Sequence, residues 1–171
     1  MRRLFGKMVR VIFLAFLITY SMIVNADVIK GYVISIADGD TITIVDSENY
    51  QHKIRLSGID APEKTQAFGN QSKQSLANMV FRKTVIVYYN KRDKYDRIVG
   101  KVLLENEDIT IEQIKRGLAW HYKKYENEQE IEDRSIYANE EYLARRDKKG
   151  VWSDSSSIPP WEFRMQARVN Y

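Results

Sequence analysis

Three short runs of alternating apolar side chains, each closed by a turn signal, constrain the fold more than any other feature of the chain. Residues 28–36 (VIKGYVISI) are rich in β-branched and aromatic side chains and read as a strand. ADGD follows, with turn chemistry at Asp38 and Gly39. TITIV then sets Ile42 and Ile44 on one face and Thr41 and Thr43 on the other, a period of two. ENYQ turns the chain again. In HKIRLSG, Ile54 and Leu56 share one side and Lys53, Arg55 and Ser57 the other. Three strands joined by tight turns predict an antiparallel meander with one face buried.

The remaining chain supplies two more strands and three helices. Residues 67–82 read as a helix with Leu76, Met79 and Val80 at helical spacing. TVIVYY (84–89) and RIVGKVLL (97–104) read as strands around the charged NKRDKYD. Thr110 and Gln113 have the spacing of a capping box, followed by the stripe Ile111, Ile114, Leu118. Residues 128–148 predict a highly charged helix with Ile131, Ala138 and Tyr142 among its apolar positions. Pro159-Pro160 is expected to end helical options. That leaves an aromatic, basic C-terminal tail within 154–171. The order β-β-β-α-β-β-α-α predicts an α+β, mainly β fold over 27–153. It suits a five-stranded Greek-key barrel of the oligonucleotide-binding type (OB-fold) with three helices.

Residues 1–26 are read apart from that fold. Arg2, Arg3, Lys7 and Arg10 precede the apolar VIFLAFLITYSMIV, and VNA offers a cleavage site before Asp27. This is the pattern of a secretory signal peptide. An uncleaved anchor is the alternative, although the run is short for a hydrocarbon core of about 30 Å. The expectation is an exported protein, secreted or periplasmic, with no stable membrane association after cleavage. The chain has no cysteine, which excludes disulfides, thiolate metal sites and cysteine nucleophiles. It has 27 Lys+Arg against 23 Asp+Glu, and the four basic residues in 1–26 carry that excess. The mature chain is therefore near neutral, and affinity for phosphate has to come from local grouping.

One grouping stands at the strand ends. Asp40 closes the first hairpin, Arg55 lies on the polar face of the third strand, and Asp60 and Glu63 follow with Pro62 between them. Arg97 opens the fifth strand. Two carboxylates from different loops suit a hard cation, and a third can hold a water as general base. Two arginine forks suit a phosphate gaining charge. Each residue also has a plainer reading. Asp38 and Asp40 are turn residues by default, Arg55 a solvated strand residue, 60–63 an Asx-type turn into a helix, and NKRDKYDR a solvated hairpin. His52 and His121 have no partner at metal-ligand spacing, and Trp120 and Trp152 read as packing residues.

Taken together, DGDTITI, IRLSGIDAPE, DKYDR, GLAW and GVWS, in this order and spacing, resemble the staphylococcal (micrococcal) nuclease family from Val28 to Trp152. PPWEFR resembles the exported bacterial branch of that family. The resemblance implies a five-stranded barrel with three helices. It also implies Ca²⁺-dependent cleavage of DNA and RNA with little sequence preference, leaving 3′-phosphate ends. By matched motif, Asp40 and Asp60 are implied as metal ligands and Ala61 as a ligand through its backbone carbonyl. Glu63 matches the general base, and Arg55 and Arg97 the phosphate-binding arginines. Lys94 and Tyr95 match positions that contact the nucleotide phosphate. Tyr125 is the nearest candidate for base contact, with Tyr122 as runner-up. Asp96 departs from the glycine expected before the arginine; its carboxylate either pairs with Arg97 or points to solvent. The domain is expected to act as a monomer. A non-catalytic nucleic-acid-binding OB-fold module is the alternative, and the presence of all five key side chains favours the enzyme.

Overall fold

In the computed structural model, which describes residues 26–169, the three N-terminal runs form the expected meander. Its strands are β1 (Asp27–Ile36), β2 (Thr41–Val45) and β3 (Gln51–Leu56). The expected signal segment lies outside the described residues, apart from Ala26. After the two-residue β4 (Ile59–Asp60), β5 (Thr84–Arg92) pairs antiparallel with β1 and with β6 (Ile98–Leu104). β6 then runs parallel to β3, with Ile54 opposite Ile98, Arg55 opposite Val99 and Leu56 opposite Gly100. That pairing closes a five-stranded barrel, which removes the exposed sheet edges. Val33, Ile42, Ile44, Ile54, Leu56, Val85, Val87, Ile98 and Val102 fill its interior. The short β7 (Glu107–Asp108) extends β6, and β8 (Trp120–His121) pairs with β4.

The helices are α1 (Gly69–Val80), α2 (Ile109–Lys115), α3 (Ile131–Arg146) and α4 (Pro160–Val169). α1 is shorter than the 67–82 expectation because Phe68 before it is left-handed (φ 65) and Phe81 after it is extended. It buries Leu76, Met79 and Val80 in the core. The cap of α2 is Asp108, whose side chain accepts the amides of Thr110 (2.8 Å) and Ile111 (3.4 Å). Thr110 and Gln113 are buried inside the helix instead of forming a capping box. α3 starts at Ile131, after a 3₁₀ turn over Lys123–Glu128. Its buried positions are Tyr137, Glu141 and Ala144, whereas Ile131 and Tyr142 are exposed. Pro160 begins α4 and does not stop it. A first-turn proline lacks only an N–H that has no helical partner, and its fixed φ suits the helix.

Gln113 ties the helices to the first hairpin. Its amide donates to the Gly39 carbonyl (2.7 Å) and the Ser72 carbonyl (3.1 Å). A Cβ on Gly39 would lie 2.7 Å from Ser72 Cβ and 2.8 Å from Ala61 Cβ, too close for either. Gly39→Ala should therefore displace the hairpin that carries Asp40. A loss of about 1–3 kcal/mol in urea unfolding is expected.

Candidate active site

Strand alternation decides which side chains face the site. Ile54, Leu56, Ile98 and Gly100 point into the barrel, so Arg55 and Val99 point out. Arg97, one residue ahead of β6, continues the outward set on the same side as Arg55. The β2–β3 register sets Arg55 opposite Thr41, next to Asp40.

There, Arg55 is shared between two carboxylates. Nη1 is 2.9 Å from Asp40 Oδ2, Nη2 is 2.9 Å from Asp60 Oδ1, and Nη1 also donates to the Leu56 carbonyl (3.2 Å). Asp40 is 5% and Asp60 2% exposed. Asp40 further accepts the Thr41 hydroxyl (2.9 Å) and the Ala61 amide (2.8 Å). Burial pushes the Asp40 carboxyl up from 3.8 to about 7. Arg55 opposes that shift, while Asp38 and Asp60 add to it. The neutral form of Asp40 is thus favoured even beside a guanidinium, chiefly because burial strips its charge of water.

Glu63 lies on the loop after Pro62. Its amide donates to Gln66 Oε1 (3.1 Å), and its carboxylate accepts Arg164 Nη1 (2.7 Å). Arg164, from α4, also reaches Asp60 through Nη2 to Oδ2 (2.7 Å) and Nη1 to Oδ1 (3.3 Å). Arg97 is held by Asp93, with Nε and Nη2 each 2.7 Å from Oδ2. Asp96 does not pair with Arg97; its carboxylate is exposed and meets Arg92 Nη1 (3.2 Å). Tyr95 is exposed, with Lys94 Nζ 5.0 Å and Arg97 Cζ 5.5 Å from its ring centre. Tyr125 packs edge-on against Tyr122 at 5.1 Å, and Tyr122 stacks on Trp161 at 5.0 Å and 11°.

All the residues expected at the site, from Asp40 to Tyr125, line one cleft of about 1260 Å³. The sequence reading missed Arg164, Trp161 and Gln66. The signal for the first two was the i, i+3 spacing of tryptophan and arginine after a proline able to start a helix. His52 is engaged by Asp46 (2.7 Å) and His121 Nε2 by Gln129 Oε1 (2.9 Å). Trp120 is buried and meets Trp152 edge-on at 5.3 Å.

The residues fit a hard divalent cation. Asp40 and Asp60 are buried side by side, and burial raises the Asp40 carboxyl, a penalty that a bound cation would relieve. Oxygen is also the donor such ions prefer. Among the described residues no three His, Cys, Asp or Glu side chains converge on one point. A cation held here would therefore rely on Asp40, Asp60, a backbone carbonyl such as that of Ala61, and water.

Known proteins resemble most of the chain. The family model described as staphylococcal nuclease homologue matches residues 53–154. A Haemophilus influenzae protein named "Uncharacterized endonuclease" is 37% identical over 138 residues, 81% of this chain and 74% of that protein. A Shigella flexneri protein named "Micrococcal nuclease" is 34% identical over 148 residues, covering 81% of this chain and 82% of its own length. The Arabidopsis thaliana "Staphylococcal-like nuclease CAN1" is 35% identical over 116 residues, 68% of this chain and 34% of that protein.

The raised Asp40 carboxyl has a measurable consequence. Between pH 3.8 and about 7 the folded protein keeps a proton that the unfolded chain has lost. Asp40 thus contributes stability that is full below pH 3.8 and lost as pH rises through about 7. Asp46, held down by its hydrogen bond from His52, and Asp147, held down by Arg146, act only at lower pH. In chelator, the urea midpoint should therefore fall across this window, and Asp40→Asn should flatten the fall. A divalent cation held by Asp40 and Asp60 would stabilise the wild-type protein more at pH 8 than at pH 5.

Proposed function

The chain belongs to the staphylococcal nuclease family and is a nuclease acting on nucleic acid, and from that premise we propose an exported, Ca²⁺-dependent endonuclease of the thermonuclease type. It would cleave DNA and RNA with little sequence preference and leave 3′-phosphate ends. The observation that carries the reading is the meeting of Asp40, Arg55, Asp60 and Glu63 in one cleft, with Arg97 on the same outward face. Export is supported by the N-terminal charge and hydropathy pattern. Outside the cell Ca²⁺ is abundant enough to fill a weak site of two carboxylates.

The chain's own residues divide the work. Glu63 takes the proton of the attacking water, whose oxygen bonds to phosphorus as the bond from phosphorus to the 5′ oxygen breaks. The departing 5′ oxygen takes a proton from solvent. Arg55 and Arg97 bind the non-bridging oxygens as charge builds on them. Arg55 has N–H donors left over from its contacts with Asp40, Asp60 and Leu56. Lys94 and Tyr95 extend the phosphate contact, and Tyr125 offers a ring to the base. A cation on Asp40 and Asp60 would supply Lewis-acid polarisation of the phosphate.

The decisive experiment incubates the mature chain with single-stranded DNA and with RNA, at graded Ca²⁺ and in chelator. Cleavage is expected only with Ca²⁺, with 3′-phosphate ends by mass spectrometry; no cleavage at any Ca²⁺ level overturns the proposal. Glu63→Gln should lower kcat by about 10²–10⁴ with oligonucleotide binding retained. Arg97→Lys should also lose most of the rate, because an ammonium does not reproduce a planar fork.

A further inference from the structure

We propose that Arg164 is a positioning residue of the active site, holding the Glu63 carboxylate at a fixed offset from Asp60 and making α4 a working part of the catalytic apparatus. The inference rests on the reading of Glu63 as general base. A carboxylate on an irregular loop has its own rotamers and those of the loop to lose before it can hold one water in line. Among the described residues, the hydrogen bonds to the Glu63 carboxylate come from Arg164 alone. Asp60, by contrast, is anchored in β4 and nearly fully buried. The Arg164 guanidinium spans the two, with Nη1 2.7 Å from Glu63 Oε1 and Nη2 2.7 Å from Asp60 Oδ2. Because the fork is rigid and planar, these contacts fix a distance and an orientation at once.

The helix that delivers Arg164 is itself fastened at two further places. One side chain, Gln66, accepts the Glu63 amide at 3.1 Å and donates to the Ile158 carbonyl at 2.7 Å. The backbone of the base is thereby tied to the run leading into α4. Trp161, one helical turn before Arg164, stacks on Tyr122 at 5.0 Å and 11°. Pro160 is buried at the start of the helix. Of these ties, Gln66 and Arg164 reach the Glu63 loop, and Trp161 seats α4 against Tyr122.

The test compares the wild type with Arg164→Ala and Arg164→Lys. Arg164→Ala should lower kcat by about 10–100-fold, the usual effect of removing a partner that orients a working side chain. KM should move by less than about threefold, since no substrate contact is lost. Arg164→Lys should fall between the two, because one ammonium does not span both carboxylates in parallel. Amide hydrogen exchange in Arg164→Ala should accelerate in residues 61–68 more than in the barrel strands, where the loss of the Asp60 pairing would show only as a general rise. The inference is overturned by a kcat within about twofold of wild type. A raised kcat also overturns it, since α4 would then be an occluding strap. Should the wild type itself fail to cleave, the proposed function falls. The exchange measurement then decides alone whether Arg164 holds the Glu63 loop, and unchanged exchange refutes it.

Discussion

Two almost fully buried carboxylates sit side by side at the barrel wall, and the architecture around them is shaped by the need to balance their charge. An isolated ionised carboxylate in such a place is strongly disfavoured and must find cations and donors. Asp40 and Asp60 share Arg55, Asp40 adds the Ala61 amide and the Thr41 hydroxyl, and Asp60 adds Arg164. Arg55 is available only because β2 and β3 pair with Thr41 opposite it. A slip of one residue would turn Arg55 into the barrel and Ile54 out of it. The same β3 register sets the parallel pairing with β6 that closes the barrel and puts Arg97 on the outer side. Charge balance at the site and closure of the core are therefore one constraint.

How much of this can be read from the sequence follows from the range of each interaction. Alternation in TITIV and HKIRL assigns inward and outward faces with no knowledge of partners, so the barrel and the placing of Arg55 were legible. Asp60 and Glu63 were legible as well, because a short loop with a proline between them brings both carboxylates to the end of one strand. Arg164 was not. It lies 104 residues from Asp60, and only the folded chain brings the two within 2.7 Å. Its helix was also obscured by a double proline, whose second member turns out to be the first residue of the helix.

Two smaller departures have the same origin. Asp108 and Thr110 are both competent caps, and local pattern does not choose between them. Tertiary demand does: Gln113 is needed at the Gly39 and Ser72 carbonyls, and Asp108 also receives the Tyr137 hydroxyl at 2.8 Å. In α3 the buried stripe includes a glutamate. Glu141 accepts the His121 amide (3.1 Å) and pairs with Lys123 (2.8 Å), so a charged residue holds a position that an apolar pattern would assign elsewhere. Reading α3 by hydrophobicity alone favours Tyr142, its exposed neighbour.

The substitution at position 96 is a matter of backbone shape more than of charge. Asp96 has φ 59, in the left-handed region where glycine is at ease and other residues are strained by about 1–2 kcal/mol. Aspartate is among the residues that tolerate it, and its carboxylate points away to Arg92. The left-handed step turns the chain back so that Asp93 accepts the amides of Tyr95 (2.9 Å) and Arg97 (3.0 Å). Partial burial pushes the Asp93 carboxyl up, but the Arg97 amide and guanidinium and the Tyr95 amide outweigh it and hold it below its usual value. An ionised Asp93 occupies the Nε and Nη2 side of Arg97. The arginine is therefore oriented by its neighbour and not neutralised by residue 96, and its Nη1–Nη2 edge, which has no partner among the described residues, is the one the proposed phosphate contact would use.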